Sequence, residues 1–105
     1  MKLKDDHIAR RIHEAVHSVD PKAQVILFGS RARGDAKKDS DWDILILIDT
    51  PVSIEIGRAF RFKLFDLELE TGEVFSTFVH YKKIWNTRHR VTPFYQNIKR
   101  EGILL

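Results

Sequence analysis

The amino-acid sequence predicts an α+β domain in which helices cover one small sheet, and three observations carry that expectation. Apolar residues recur at helical spacing in two long stretches, Asp5 to Ser18 and Ser53 to Glu70. Short β-rich segments at Ala23 to Phe28, Trp42 to Ile48 and Val74 to His80 alternate with them. A chain of 105 residues has room for one hydrophobic core and not two, so residues 1–105 read as a single domain.

In the first helix Ile8, Ile12, Ala15 and Val16 form the apolar stripe; Asp5 or Asp6 would cap it, and Asp20-Pro21 ends it. The strand at Ala23 to Phe28 is broken by Gly29-Ser30, after which the polar stretch Arg31 to Lys37 reads as a short helix and a loop. In the second strand Ile44-Leu45-Ile46-Leu47-Ile48 shows no polar alternation, so both of its faces should be covered. Ile56, Phe60, Leu64 and Leu67 make the stripe of the long helix, with Gly72 as its stop. Phe65 to Glu70 also alternates with period two, and Thr71-Gly72 could turn a hairpin, but length and the continuous stripe favour the helix. Lys82 to Thr87 reads as a helical turn and Pro93 to Arg100 as a last helix ending near Gly102. The order is α-β-α-β-α-β-α. Phe60, Phe62 and Phe65 read as core, and Trp42 and Trp85 as packing residues.

Composition narrows the function. The chain has no cysteine, which excludes disulfides, zinc–thiolate sites and thiol catalysis and fits a cytoplasmic setting. No apolar stretch follows Met1 to Asp6 to make a signal peptide, and the longest aliphatic run, Ile44 to Ile48, is far too short to span a membrane. The formal charge is +3, and from His80 to Glu101 six Lys or Arg residues face one acid. That run reads first as a solvated basic surface and second as a patch for a polyanion or acidic partner; RNA binding is the weaker idea, since no RNA-binding signature accompanies it. Tyr81, Trp85, Phe94 and Tyr95 crowd the same region and are hard for so small a body to cover, which points to a partner-binding surface there. His13 and His17, four apart on the first helix, read as surface histidines, because two ligands do not close a zinc site.

The informative stretch is Leu27-Phe28-Gly29-Ser30-Arg31-Ala32-Arg33-Gly34, followed by Asp39-Ser40-Asp41-Trp42-Asp43-Ile44. On a strand, residues two apart project from one face, so Asp41 and Asp43 point together and Trp42 points away. Two adjacent carboxylates repel unless a cation sits between them, and hard oxygen ligands without His or Cys suit Mg²⁺ or Mn²⁺. Gly29 lets backbone approach a ligand, and Ser30 adds a hydroxyl. If Arg31 opens a helix, the free amides there favour a phosphate, to which Arg31 and Arg33 could add charge-assisted bonds. Either element alone is weak; on consecutive strands they can set a phosphate cradle against a metal site, the layout for attack on a nucleotide's α-phosphate.

Gly29-Ser30-Arg31-Ala32-Arg33-Gly34 and Ser40-Asp41-Trp42-Asp43-Ile44 resemble the Gly-Ser and Asp-x-Asp motifs of the DNA-polymerase-beta-type nucleotidyltransferase superfamily, closest to its minimal nucleotidyltransferase branch. Pro93 to Gly102 is similar to that branch's usual ending. The resemblance implies the nucleotidyltransferase fold, with a small mixed three-stranded sheet flanked by helices. It implies Asp41 and Asp43 as catalytic metal ligands for Mg²⁺ or Mn²⁺, and a nucleotide site at Gly29, Ser30, Arg31, Arg33 and Ser40. It further implies ATP as substrate, with transfer of AMP to a protein or other hydroxyl acceptor, and a HEPN-domain partner in a toxin–antitoxin pair. The alternative is a non-catalytic antitoxin-like module that neutralises such a partner by docking. Active members usually carry a third carboxylate on the strand after the long helix; here Ser76 or Thr77 occupies the place, and the nearest acids are Glu73, Asp66, Glu68 and Glu70.

The spacing of the two aspartates makes a direct prediction. Titration with Mn²⁺ should broaden resonances of residues near both Asp41 and Asp43, and Asp43→Asn should abolish the effect; an equal response in wild type and mutant would remove the metal site.

Overall fold

The computed structural model describes residues 3–105, with side chains from residue 6 onward. Met1 and Lys2, at the start of the segment read above for a targeting signal, lie outside the described residues. No helix among the described residues is long and apolar enough to cross a membrane. In chain order the elements are α1 (Leu3–Val19), β1 (Gln24–Phe28), α2 (Ser30–Arg33), β2 (Trp42–Ile48), α3 (Ile54–Thr71), β3 (Phe75–Tyr81), α4 (Lys82–Trp85), a 3₁₀ turn (His89–Val91), α5 (Pro93–Glu101) and β4 (Ile103–Leu104).

The sheet runs β3-β2-β1-β4. Strand β2 pairs antiparallel with β1 and parallel with β3, and β4 pairs antiparallel with β1. The α+β class and mixed sheet match expectation, while Ile103 and Leu104 add a fourth strand at one edge. Ile103 and Leu104 lie opposite Leu27 and Ile26, and the Leu105 amide donates to the Val25 carbonyl at 2.8 Å. A two-residue strand has no period to detect in sequence. Gly102 makes the join possible, because a Cβ there would lie 2.5 Å from the Ile98 carbonyl oxygen and 2.7 Å from Ile26 Cγ2.

Residues Ile44 to Ile48 are buried on both faces, as their unbroken apolar run requires. Ile44, Ile46 and Ile48 pack with Ile12 and Val16 of α1 and Phe60, Leu64 and Leu67 of α3. Leu45 and Leu47 face the other way, onto Trp85 and Ile98 with Phe28, Phe94 and Tyr95 around them. Ser53 starts α3 by accepting the Ile56 amide on its hydroxyl at 3.1 Å, and Gly72 ends it in the left-handed region, φ 76°, with its amide on the Glu68 carbonyl. The segment that could have been a hairpin is therefore the last turns of a helix.

Four expectations need correction. Helix α1 is already formed at Leu3, so Asp5 and Asp6 lie inside it and do not cap it. Phe60 is fully buried, but Phe62 and Phe65 are 69% and 53% exposed: an 18-residue helix on one sheet face can bury only its Phe60-Leu64-Leu67 stripe. The C-terminal aromatics are better covered than their number suggested, since Trp85 is buried and Tyr81, Phe94 and Tyr95 are half-buried. Finally, His13 and His17 are half-buried and joined ring to ring at 2.9 Å; His17 reaches the Ala23 carbonyl and His13 the Leu105 carbonyl, which ties α1 to the end of the β1–β4 pair where β1 begins and β4 finishes.

The division among the phenylalanines sets a stability test. Phe60→Ala should cost about 3–5 kcal/mol by urea unfolding, whereas Phe62→Ala and Phe65→Ala should each stay within about 0.5 kcal/mol.

Candidate functional site

Parallel pairing of β2 with β3 decides where the site lies. The α3 crossover returns the chain to the end from which β2 started, so both strands begin at the same edge of the sheet. Phe28, Asp43 and Ser76 thereby form one row across three strands. Asp41 precedes β2 and is exposed, Asp43 is half-buried, and the Ser76 hydroxyl donates to Asp41 Oδ2 at 3.3 Å. Of the two residues that could fill the place of a third acid, Ser76 faces the aspartates. Thr77 points to the opposite face, where it lines a groove of about 470 Å³ with Phe62, Phe65 and Phe75.

Gly29 is required twice over. Its backbone, φ 74° and ψ −157°, is one that residues with a side chain avoid, and a Cβ would fall 2.1 Å from Asp43 Oδ2. The close approach read from this glycine is thus first an approach by the protein's own carboxylate. Ser30 then opens the single turn of α2; the Gly29 carbonyl accepts the amides of Ala32 and Arg33, at 3.1 and 3.0 Å, and Gly34 closes the turn at φ 85°. The leading amides of such a turn have no partner within it.

Sequence reasoning missed the clamp behind the acids. Arg31 was expected to support phosphates, but its guanidinium is bound into the loop ahead of β2, donating to the carbonyls of Ser40 at 2.9 Å and Lys38 at 3.3 Å. It lies 5.0 Å from the centre of the Trp42 ring and 3.7 Å from Glu73, whose carboxylate also accepts from Trp42 Nε1 at 3.3 Å. Arg31, Trp42 and Glu73 are separated widely in the chain, and no spacing rule joins them. The Ser40 hydroxyl accepts the Lys37 amide at 2.8 Å, so its side chain holds the same loop. Glu73 is committed to this clamp, and Glu70 pairs with Arg11 of α1. Asp66 lines a groove of about 230 Å³ between α1 and α3, on the face turned away from Asp43. Arg33 is exposed, linked to Asp35 and Glu101 at 3.3 Å each.

Burial holds the Asp43 carboxyl above the usual carboxylate range; the negative charge of Asp41 adds to this, and Arg33 opposes it. Asp43 is therefore a carboxylate short of positive charge. Among the described residues no cluster of three or more His, Cys, Asp or Glu forms. The donors on offer are two carboxylates and a hydroxyl, all hard oxygens, and that set fits a small divalent cation that keeps water and substrate phosphates as its remaining ligands.

The motif of the nucleotidyltransferase domain family matches residues 9–104, from α1 to β4. The chain belongs to that family. A Methanocaldococcus jannaschii protein bearing the name "Putative protein adenylyltransferase MJ0604" is 34% identical over 82 residues, covering 78% of this chain and 76% of the relative. Two solved structures share the fold. A toxin–antitoxin crystallised with AMP-PNP superimposes with a TM-score of 0.66 at 20% identity, and a mutant MntA–HpeT toxin–antitoxin with 0.65 at 18%. Each comparison covers 90% of this chain and 69% of the other. This nucleotidyltransferase domain is thus a transferase by family, with Gly29, Asp41 and Asp43 at one end of the central strands.

The raised Asp43 pKa has a signed consequence. The folded state holds the Asp43 proton better than the unfolded chain, so ionised Asp43 costs stability above the ordinary carboxylate range, and the cost disappears below about pH 4. Without divalent metal, Asp43→Asn should melt higher than wild type at pH 7, and thermal scans should show the gap closing as the pH falls.

Proposed function

We propose that this domain transfers a nucleoside monophosphate, AMP from ATP, to a hydroxyl on a protein or other acceptor, with Asp41 and Asp43 holding Mg²⁺ or Mn²⁺. The observation that carries this reading is the single row Phe28-Asp43-Ser76 with Gly29 pressed against Asp43, which sets the Gly-Ser turn and both acids within one small volume. A bound cation supplies charge neutralisation on the α-phosphate and on the departing pyrophosphate. Ser30 and the first amides of α2 hold the β- and γ-phosphates, and Arg33 lends positive charge from the rim. Arg31 and Ser40, placed in the phosphate group by resemblance, act instead by fixing the loop that carries Asp41.

The acceptor is deprotonated with little help, because Ser76 stands where a carboxylate would serve as base. Loss of a general base lowers rates by about 10²–10⁴-fold. Binding of the metal–nucleotide complex is accordingly stronger in this chain than turnover. The name of the 34% identical relative supports a protein acceptor, and the toxin–antitoxin neighbours support a partner protein; the family resemblance suggests a HEPN-domain chain as that partner, and the absence of cysteine fits a cytoplasmic setting. The same two findings keep a second reading in play, in which the domain silences its partner by docking and uses its nucleotide site for regulation.

Calorimetry with Mg²⁺ and ATP, alongside transfer from labelled ATP to a co-purified HEPN partner, tests both readings. Ser30→Ala should weaken ATP binding by about 0.5–1.5 kcal/mol, the net value of one hydrogen bond. Ser76→Asp should raise the transfer rate while leaving binding intact. Transfer that is already fast in wild type and unchanged by Ser76→Asp would show that another group acts as base; ATP binding with no transfer in either form would favour the docking module.

A further inference from the structure

The face of the sheet that carries Asp43 continues into an aromatic surface that the transfer chemistry above does not use. One row beyond Phe28-Asp43-Ser76 lies the row Ile26-Leu45-Phe78, on the same face because paired residues share a side. Phe28, Phe78 and Phe94 form a triangle of rings, with centroids 5.9 Å apart for Phe28–Phe78 and 5.5 Å for each of the other two pairs. Phe94 comes from α5, whose first turn is fixed by Thr92 accepting the Tyr95 amide. Trp85 stands edge-on to Phe94 at 5.6 Å and is buried, so the cluster is anchored to the second core at its far end. Its near end is open, since Phe78 keeps 41% of its surface exposed directly alongside Ser76 and the acids.

Leaving that ring in water beside two carboxylates is unfavourable unless something flat and apolar covers it. Ser76 and Phe78 are two positions apart on β3, about 6.6 Å along the strand, an interval a ribose can bridge between an α-phosphate and its base. We propose that Phe78, backed by Phe28 and Phe94, is the stacking platform for the nucleotide's base, and that this platform makes binding tolerant of base identity. The three side chains present π faces and edges with no hydrogen-bonding atom, and stacking on such surfaces accepts any base. The larger ring system of a purine should therefore bind more tightly than a pyrimidine, with adenine and guanine close together. The platform rests on the reading that the triphosphate lies between Ser30 and Asp43, and the test separates the two.

Calorimetry with Mg²⁺ would compare ATP with inorganic tripolyphosphate, which has the phosphates and no base, on the full chain and on Phe78→Ala, Phe78→Leu and Phe78→Trp. Phe78→Ala should weaken ATP roughly 5- to 150-fold, the effect of removing one stacking partner, and leave tripolyphosphate within about twofold. Phe78→Trp should retain ATP binding. Phe78→Leu keeps the bulk that packs on Phe28 and Phe94, so its weaker ATP binding with unaltered tripolyphosphate would support the platform even if Phe78→Ala does not fold. Equal ATP affinity in wild type and Phe78→Leu would overturn the proposal while leaving the phosphate site standing, as would equal loss of both ligands. A wild type that binds neither ligand would overturn the phosphate site and the platform together.

Discussion

The constraint on which this structure depends is that β2 must be dry on both faces. Five consecutive aliphatic residues, Ile44 to Ile48, cannot leave either side in water, so helices have to be laid over both. Helices α1 and α3 take the side of Ile44, Ile46 and Ile48; α4 and α5 take the side of Leu45 and Leu47. Each fully buried side chain of this run is worth roughly 1.5–3 kcal/mol. That is enough for one strand to organise a domain of this size. Trp42 at the start of β2 is still buried on the α1–α3 side; the polar residues fall at that end of the strand on the other face, with Asp43 near the start of β2 and Asp41 just ahead of it.

An acid at the end of a buried strand is poorly solvated, and the surroundings of Asp43 do not relieve it. Gly29 passes so close that a methyl group could not be added, Asp41 brings a like charge, and Arg33 offers only distant compensation. Two carboxylates are thus held together with little compensation from the protein's own positive charge. Behind the loop the reverse holds. Arg31 is held by Glu73, by two carbonyls and by the Trp42 ring, with its side chain largely covered, and it fixes the loop that leads to Asp41. The clamp thus lies behind the loop that carries Asp41, while Gly29 lies against Asp43.

The unpartnered surfaces differ in kind. On the α3 side, Phe62, Phe65 and Leu69 are exposed next to charged neighbours on a helix whose buried stripe is already complete. On the β3 edge, Phe78 belongs to an aromatic cluster continuous with the site. A partner protein and a nucleotide base would each find a surface of suitable character without competing for the same rings.

Much of this molecule was legible in its residues. The helical stripes, the doubly covered strand, the Gly72 stop and the pairing of a Gly-Ser turn with Asp-x-Asp are local patterns, set by periodicity and by the conformations that single residues allow. They were sufficient for the fold class and the family. Where the reading failed, the reason was distance along the chain. Phe62 and Phe65 looked like core because periodicity says a helix has an apolar face but not how wide a face the sheet can cover. His13 looked like surface because its partner, the Leu105 carbonyl, is brought to it only when β4 closes the sheet. Arg31 read as a phosphate ligand because its sequence neighbours are glycine and serine, while Glu73, which competes for it, arrives from 42 residues away. The choice between Ser76 and Thr77 likewise depended on the register of β3 against β2, a one-residue matter that exchanges the two faces of the strand. Local chemistry determined which groups this protein owns; the parallel return of β3 decided which of them meet, because only backbone pairing between distant strands sets the row on which a side chain falls.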